Sequence, residues 1–70
     1  STWETINGAD YCFGKDGYLF VYCYIKAAGK DLYYWVDDDG VWIEAENTPN
    51  PDRSKYRVVE NFMTENAYRG

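Results

Sequence analysis

The run from Tyr18 to Ile25 alternates between two apolar sets of residues, not between apolar and polar ones. Its two faces are an aliphatic one, Leu19, Val21, Cys23 and Ile25, and an aromatic one, Tyr18, Phe20, Tyr22 and Tyr24. A strand with one face in water would alternate apolar with polar residues. The pattern therefore predicts a strand in which both faces are covered, or in which one face binds a partner.

Four turn signals divide the first 45 residues at regular spacing. They are Asn7-Gly8, Gly14 to Gly17, Ala27 to Asp31 and Asp37 to Gly40. Asn-Gly is the strongest short hairpin signal, because both residues of its turn need positive φ. The segments between the turns are rich in β-branched and aromatic residues. They predict five strands, over Thr2–Ile6, Ala9–Phe13, Tyr18–Lys26, Leu32–Val36 and Val41–Ala45, which short turns would join into an antiparallel meander over residues 2–45.

The aromatic face is expected to continue across this sheet. Pairing Val36 with Val41 across the Asp-rich turn places Trp35 opposite Trp42. In this register the aliphatic residues share one face and the two tryptophans share the other, as in the strand over residues 18–26.

After residue 45 the period of the apolar pattern changes. Residues 46–52 contain two prolines, which cannot donate ladder hydrogen bonds, and they predict a connecting loop. The next apolar residues fall at helical spacing: Tyr56, Val59, Phe62 and Met63. They predict a helix over residues 53–67 with Asp52 as its N-cap. Two adjacent valines weaken the helical pattern, so a short edge strand over Lys55–Glu60 is the alternative.

These elements predict one α+β domain over residues 1–70. Its architecture would be a five-stranded antiparallel β-meander with one C-terminal helix packed on one face, most simply the aliphatic one. A chain of 70 residues has a thin core, and its aromatic fraction of 20% is one way to bury much area per residue.

The charge of the chain is negative and unevenly distributed. Ten acids and three lysines in residues 1–52 give −7, and four cations and two acids in residues 53–70 give +2, for a net charge of −5. This balance argues against direct binding to nucleic acid or to an anionic membrane, and it favours a protein partner with a basic surface. No apolar stretch approaches the roughly 20 residues that span a bilayer.

Residues with catalytic chemistry are scarce. The chain has no His, and its only serines, Ser1 and Ser54, lie in no nucleophile motif. We therefore expect no enzymatic activity and no cofactor. Aligning Asp37, Asp39 and Gly40 with a calcium-binding loop would put Trp35 at the first ligand position, where it offers no oxygen. The acidic run is interpreted as a hairpin turn without a metal.

The two cysteines are predicted to be reduced and mostly buried. If Phe13 faces Tyr18, then Cys12 faces Leu19, and Cys23 lies about 13 Å further along the strand. A disulfide needs Cα atoms within about 7 Å. Free thiols, and an N-terminal Ser that could follow a removed Met, favour a cytoplasmic protein, with secretion as the alternative.

Three binding functions are compatible with these features. The first is an inhibitor that occludes a basic surface of a partner protein by acidic mimicry and aromatic anchors; small virus-encoded inhibitors of nucleic-acid-handling machinery have this size and charge. The second is a carbohydrate-binding module that uses surface Tyr and Trp rings, and the third is a self-associating subunit, such as a homodimer. The predicted partner-binding residues are Tyr22, Tyr24, Tyr33, Trp35, Asp37, Asp38, Asp39, Trp42, Glu44 and Glu46.

Overall fold

The backbone forms six strands and no helix in the computed structural model, which describes all 70 residues. The strands are β1 (Thr2–Ile6), β2 (Ala9–Phe13), β3 (Cys23–Lys26), β4 (Tyr33–Val36), β5 (Trp42–Thr48) and β6 (Arg57–Val59). β1 and β2 form a separate hairpin, and the other four form a sheet of order β5-β4-β3-β6. Within this sheet β6 is parallel to β3, and the other pairs are antiparallel. The domain is therefore all-β with two sheets, and the predicted α+β class with a single five-stranded meander is wrong. No helix in the fold could cross a membrane.

The first hairpin agrees with its prediction. Asn7 and Gly8 have φ of 51° and 81°, as the predicted two-residue turn requires. Ile6 pairs with Ala9 across the turn, and both strands have the predicted bounds. The local turn chemistry was sufficient to define this element.

The predicted strand over residues 18–26 is wrong, because the chain changes direction in its middle. Tyr22 has a φ of 51°, and regular pairing begins only at Cys23. Before that point Leu19 makes one isolated bridge to Phe13, not the predicted pairing of Phe13 with Tyr18. The segment therefore belongs partly to each sheet, and it connects them.

This change of direction mixes the two predicted faces. Phe20, from the aromatic set, is fully buried together with Cys23 and Ile25 from the aliphatic set. Val21, from the aliphatic set, is 46% exposed. Within the run from Tyr18 to Ile25, the two faces alternate regularly only in β3, where every second side chain points into the core.

The register of β4 and β5 differs by one residue from the prediction. Val36 pairs with Trp42, because the turn contains one more residue than a two-residue hairpin loop would. The N–H of Asp37 donates to the carbonyl of Val41 (2.9 Å), and Gly40 closes the loop with a φ of 83°. Since a shift of one residue reverses the faces, Trp42 lies on the side of Val36, and Trp35 lies on the other side.

The predicted helix over residues 53–67 is absent. Asp52 and Asn61 each begin a single turn: the carbonyl of Asp52 accepts from the N–H of Tyr56 (3.1 Å), and that of Asn61 accepts from Glu65 (3.1 Å). The Asp52 carboxylate also accepts from the N–H of Ser54 (3.0 Å), but the turn does not continue into a helix, so the predicted helix N-cap is wrong. The alternative interpretation, a short edge strand within Lys55–Glu60, agrees with β6.

Burial of Val59 explains why this segment is extended. Val59 is the parallel neighbour of Ile25, and both side chains are fully buried. β-branched residues pack well on a pleated sheet and lose side-chain freedom in a helix. Met63, which the helical pattern assigned to the apolar face, is 53% exposed.

The core lies between the hairpin, the C-terminal segment and one face of the four-stranded sheet. Its buried residues are Cys12, Phe20, Cys23, Ile25, Val36, Val59, Phe62 and Ala67. Trp3 of the hairpin packs edge-on against Tyr34 and Phe62, with ring centroids 5.6 Å and 6.3 Å apart. Both cysteines are free and fully buried, and burial raises the pKa of each thiol to about 12.

Asp16 fixes the C-terminal segment to the second turn. Its Oδ1 accepts from the N–H of Ala67 and its Oδ2 from that of Tyr68, both at 3.0 Å. Desolvation acts to raise the pKa of Asp16, but the backbone hydrogen bonds from Ala67, Tyr68 and Tyr18 outweigh it and lower that pKa. The ionised carboxylate is therefore favoured in the folded state.

Replacing Asp16 with Asn is expected to destabilise the protein at neutral pH and to matter less in acid. A lowered folded-state pKa contributes stability above the unfolded value of about 3.9, and this contribution is lost as pH falls through the folded pKa. Urea unfolding at pH values from 7 to 2 would measure the difference between the two proteins. Asp31→Asn, which removes an exposed carboxylate that makes no side-chain hydrogen bond, controls for net charge. A difference that stays constant at all pH values would contradict this account of Asp16.

Candidate functional site

The four-stranded sheet has one face that lies away from the core. Cys23 and Ile25 point into the core, so Tyr24 between them points to the opposite side. Its neighbours Trp35 in β4 and Val58 in β6 lie on the same side. We call this side the outer face.

Four aromatic side chains form one packed group on the outer face: Tyr22, Tyr24, Trp35 and Tyr56. We call this group the aromatic cluster. Trp35 contacts all three tyrosines, with centroid distances of 4.8 Å to Tyr24, 5.1 Å to Tyr22 and 5.1 Å to Tyr56. Tyr22 is 55% exposed, and the other three rings are half-buried. The cluster is ordered by its own contacts, yet it remains open to a partner.

Tyr56 is the member of the cluster that the sequence analysis missed, because it was assigned to a helical stripe. It lies two positions before Val58, which is on the outer face. The period of two in a short extended segment was the signal that could have found it.

Backbone strain is located at the most exposed ring of the cluster. A φ of 51° at Tyr22 costs a residue other than Gly roughly 1 kcal/mol or more. A 2.8 Å hydrogen bond from the N–H of Tyr22 to the carbonyl of Asp37 stabilises this strained conformation. Strained residues of this kind occur more often at binding sites than elsewhere.

The same hydrogen bond places the acidic turn beside the aromatic cluster. Within the turn, Oδ1 of Asp37 accepts from the N–H groups of Asp39 and Val41, both at 2.9 Å, so Asp37 shapes the loop. Asp38 and Asp39 are exposed. The three carboxylates lie within 4.8 Å of one another and present negative charge at one end of the cluster.

Negative charge also borders the cluster near Tyr24. Desolvation raises the pKa of Tyr24, and the nearby carboxylates of Glu46 and Asp52 raise it further. Glu44 is exposed, but it lies where β5 bulges and its pairing to β4 shifts. The acids therefore surround the rings on at least two sides.

Tyr33 shares the outer face with Trp35, but its side chain is buried there. It is only 8% exposed, and its hydroxyl donates to Glu60 Oε1 (2.7 Å) and accepts from Arg53 (3.1 Å). The hydrogen bond to Glu60 is the main reason that the pKa of Tyr33 is raised. Its hydroxyl is thus occupied within the fold.

Trp42, also expected on the binding surface, lies on the core side of the sheet. Its ring stacks on Tyr34 at 4.8 Å, and its Nε1–H donates to Asn47 (2.8 Å). The shifted register of β5 is the cause. Of the predicted set, the structure brings together Tyr22, Tyr24, Trp35, the acidic turn and Glu46.

No protein-family model matches this chain. Comparisons with curated proteins and with solved structures also found no significant match. The outer face offers partly exposed aromatic rings, phenolic hydroxyls and a border of carboxylates. These groups suit noncovalent recognition of another molecule.

Proposed function

We propose that this protein binds a partner protein through the outer face and occludes a basic surface of that partner. The observation that carries the proposal is the aromatic cluster, four packed rings that the chain leaves partly exposed and borders with acids. Tyr and Trp are enriched among the residues that dominate binding energy at protein interfaces.

The physical roles of the two parts differ. Ring contacts hold the cluster in place before binding, so little side-chain freedom is lost when a partner docks on it. The surrounding acids would steer a basic surface toward the rings and set the register of the complex. Surfaces that handle nucleic acid are basic, and they are the class of target that such an acidic protein would block.

The outer face is less suited to the two alternatives. A sugar-binding platform was expected to use Tyr33, Trp35 and Trp42, but Tyr33 is buried and Trp42 lies on the core side, so only Trp35 is accessible on the outer face. The rings of the cluster also cross at 52° to 73°, so they do not form one flat platform. Self-association through this face would bring the acidic borders of two copies together, where like charges repel.

Neutralising the acidic turn is expected to slow association with the partner without changing the fold. The double variant Asp38→Asn and Asp39→Asn leaves Asp37 in place to hold the loop. We expect association about tenfold slower at low salt, with a smaller difference at high salt. The matched control, Glu4→Gln with Asp31→Asn, removes the same net charge at exposed positions elsewhere.

The measurement begins by isolating the proteins that the natural chain retains from an extract of its source cells. Stopped-flow association with the purified partner at two salt concentrations then compares the variants. Equal rates for the turn variant and its control would show that the acidic turn does not steer binding.

Removing the ring of Tyr22, the most exposed member of the aromatic cluster, tests whether the cluster anchors the partner. Tyr22→Ala is expected to weaken binding by about tenfold or more, whereas Ile6→Ala, which truncates another exposed apolar side chain on the hairpin, should leave it unchanged. Equal losses for both variants would move the interface away from the outer face.

A further inference from the structure

Four of the seven cationic side chains of this acidic protein line one cleft of about 580 Å³. They are Arg53, Lys55, Arg57 and Arg69. The consecutive residues Tyr56, Arg57 and Val58 all line the cleft, and since side chains alternate between faces, the cleft lies along the edge of the strand. β6 is the outermost strand of its sheet. The cleft therefore follows a sheet edge that has no neighbouring strand.

Three of these cations have no acidic partner. The only ion pair in the protein occupies Arg53. Arg57 donates to two backbone carbonyls of the C-terminal segment, at 2.7 Å and 2.9 Å, so its position is fixed while its charge stays uncompensated. Lys55 and Arg69 make no side-chain hydrogen bond or ion pair. An anion entering the cleft would meet unpaired positive charge.

Glu65, the one acidic residue that lines the cleft, makes structural hydrogen bonds to the backbone. Oε2 of Glu65 accepts from the N–H groups of Glu60 and Asn61, both at 3.0 Å. Its carboxylate holds the backbone after β6 and forms no ion pair with the cations of the cleft.

An apolar groove of about 440 Å³ continues from the cleft. Its apolar lining consists of Tyr18, Leu19, Val21, Tyr22, Tyr56, Ala67 and Tyr68. Lys55, Arg57 and Arg69 line both spaces, so the unpaired charges lie where the two meet. The rings of Tyr18 and Tyr68 are 59% and 66% exposed, with centroids 5.2 Å apart.

We infer that this composite groove binds an extended peptide segment of a partner protein that carries carboxylate side chains next to an apolar one. A peptide lying along β6 could add to the open sheet edge by main-chain hydrogen bonds. Its carboxylates would face the unpaired cations, and its apolar side chain would enter the tyrosine-lined groove. This site has the opposite charge preference to the outer face and is a second binding function.

Charge argues for a peptide over a nucleic-acid strand. Aromatic rings beside cations can also bind single-stranded nucleic acid. However, a chain of phosphates running past Tyr22 would approach the acidic turn, whose Asp37 carbonyl is 2.8 Å from the Tyr22 N–H. A short segment with one or two carboxylates needs only the local charges of the groove.

The test is a selection from a random heptapeptide library displayed on phage, with the intact protein as bait. We expect enriched peptides to contain Asp or Glu beside a large apolar residue, although a protein of net charge −5 would repel acidic peptides in general. Peptides without such enrichment, or no enriched peptides at all, would overturn the inference.

Variants then locate the site. Lys55→Gln with Arg69→Gln removes two charges and no hydrogen bond, and should weaken the best peptide about tenfold at physiological salt. Lys15→Gln with Lys30→Gln makes the same charge change at exposed positions outside the groove, and should have little effect on peptide binding.

Tyr68→Ala tests whether the apolar half of the groove contributes to peptide binding, and thermal melting checks that each variant is folded. Tyr22 and Tyr56 belong both to the groove and to the aromatic cluster. None of the substituted residues belongs to the cluster, so these variants test the groove without altering the four rings of the outer-face proposal.

Two results would contradict the assignment. Equal weakening by the groove variant and its control would show that the effect is only one of net charge. Tighter binding of a thymidine oligonucleotide than of the best peptide, lost in the Lys55→Gln, Arg69→Gln variant, would assign the groove to single-stranded nucleic acid instead.

Discussion

Replacing Phe20 with alanine is expected to lower the free energy of unfolding by about 4 kcal/mol. Phe20 is fully buried within the core cluster, and the guanidinium of Arg57 lies 5.3 Å from its ring centroid. Truncating a buried aromatic ring loses its transfer free energy and leaves a cavity that neighbours fill only partly. Urea unfolding monitored by tryptophan fluorescence would measure the change.

Tyr18→Ala is the matched control, because both residues belong to the aromatic set of the run from Tyr18 to Ile25. Tyr18 is 59% exposed, and its loss should cost less than about 1 kcal/mol. If the two substitutions were equally costly, the division of this run between core and surface would be incorrect.

Replacing Gly14 with alanine is expected to cost about 3 kcal/mol. A Cβ at this buried position would lie 2.6 Å from the backbone nitrogen of Ala67 and 2.9 Å from the carbonyl oxygen of Glu65. Backbone atoms cannot rotate away, so the C-terminal segment would have to move. That movement would disturb the 2.9 Å hydrogen bond from the N–H of Lys15 to Glu65 and the contacts of Asp16.

Gly17→Ala separates this clash from the ordinary cost of losing a glycine. Gly17 has a φ of 79°, but no atom lies within 4 Å of an added Cβ. We expect a loss of about 1 kcal/mol from backbone strain alone. A cost for Gly14→Ala no greater than that of Gly17→Ala in chemical denaturation would contradict the close packing of the C-terminal segment.

The elements that could be predicted from the sequence are those set by neighbouring residues. Asn7-Gly8 defined the first hairpin with its bounds, and the other turn signals placed the ends of β4 and the start of β5 within one residue. The burial of both cysteines also followed from residue type. Part of the binding surface, Tyr22, Tyr24 and Trp35, was found because alternation holds inside β3 and β4.

The errors of the sequence-based prediction lie where neighbouring residues do not determine the backbone conformation or the pairing. Tyr22 adopts positive φ although Tyr does not favour it, so nothing local indicated that the strand would break there. The turn after Val36 is one residue longer than predicted, so Val36 pairs with Trp42 and not with Val41, and Trp42 lies on the core side. The choice of strand over helix for Arg57–Val59 depends on pairing with β3, more than thirty residues earlier.

The sequence by itself determined the turns, the strand-forming segments, the excess of negative charge and the presence of a surplus of aromatic residues. Only the tertiary structure decided which aromatics are core and which are surface, and it gathered the cations of the C-terminal segment into one cleft. The physical reason is how far apart in the sequence the interacting residues lie. Turn geometry and alternation depend on residues a few positions apart, whereas the face, the register and the parallel pairing depend on contacts that form only when the whole chain has folded.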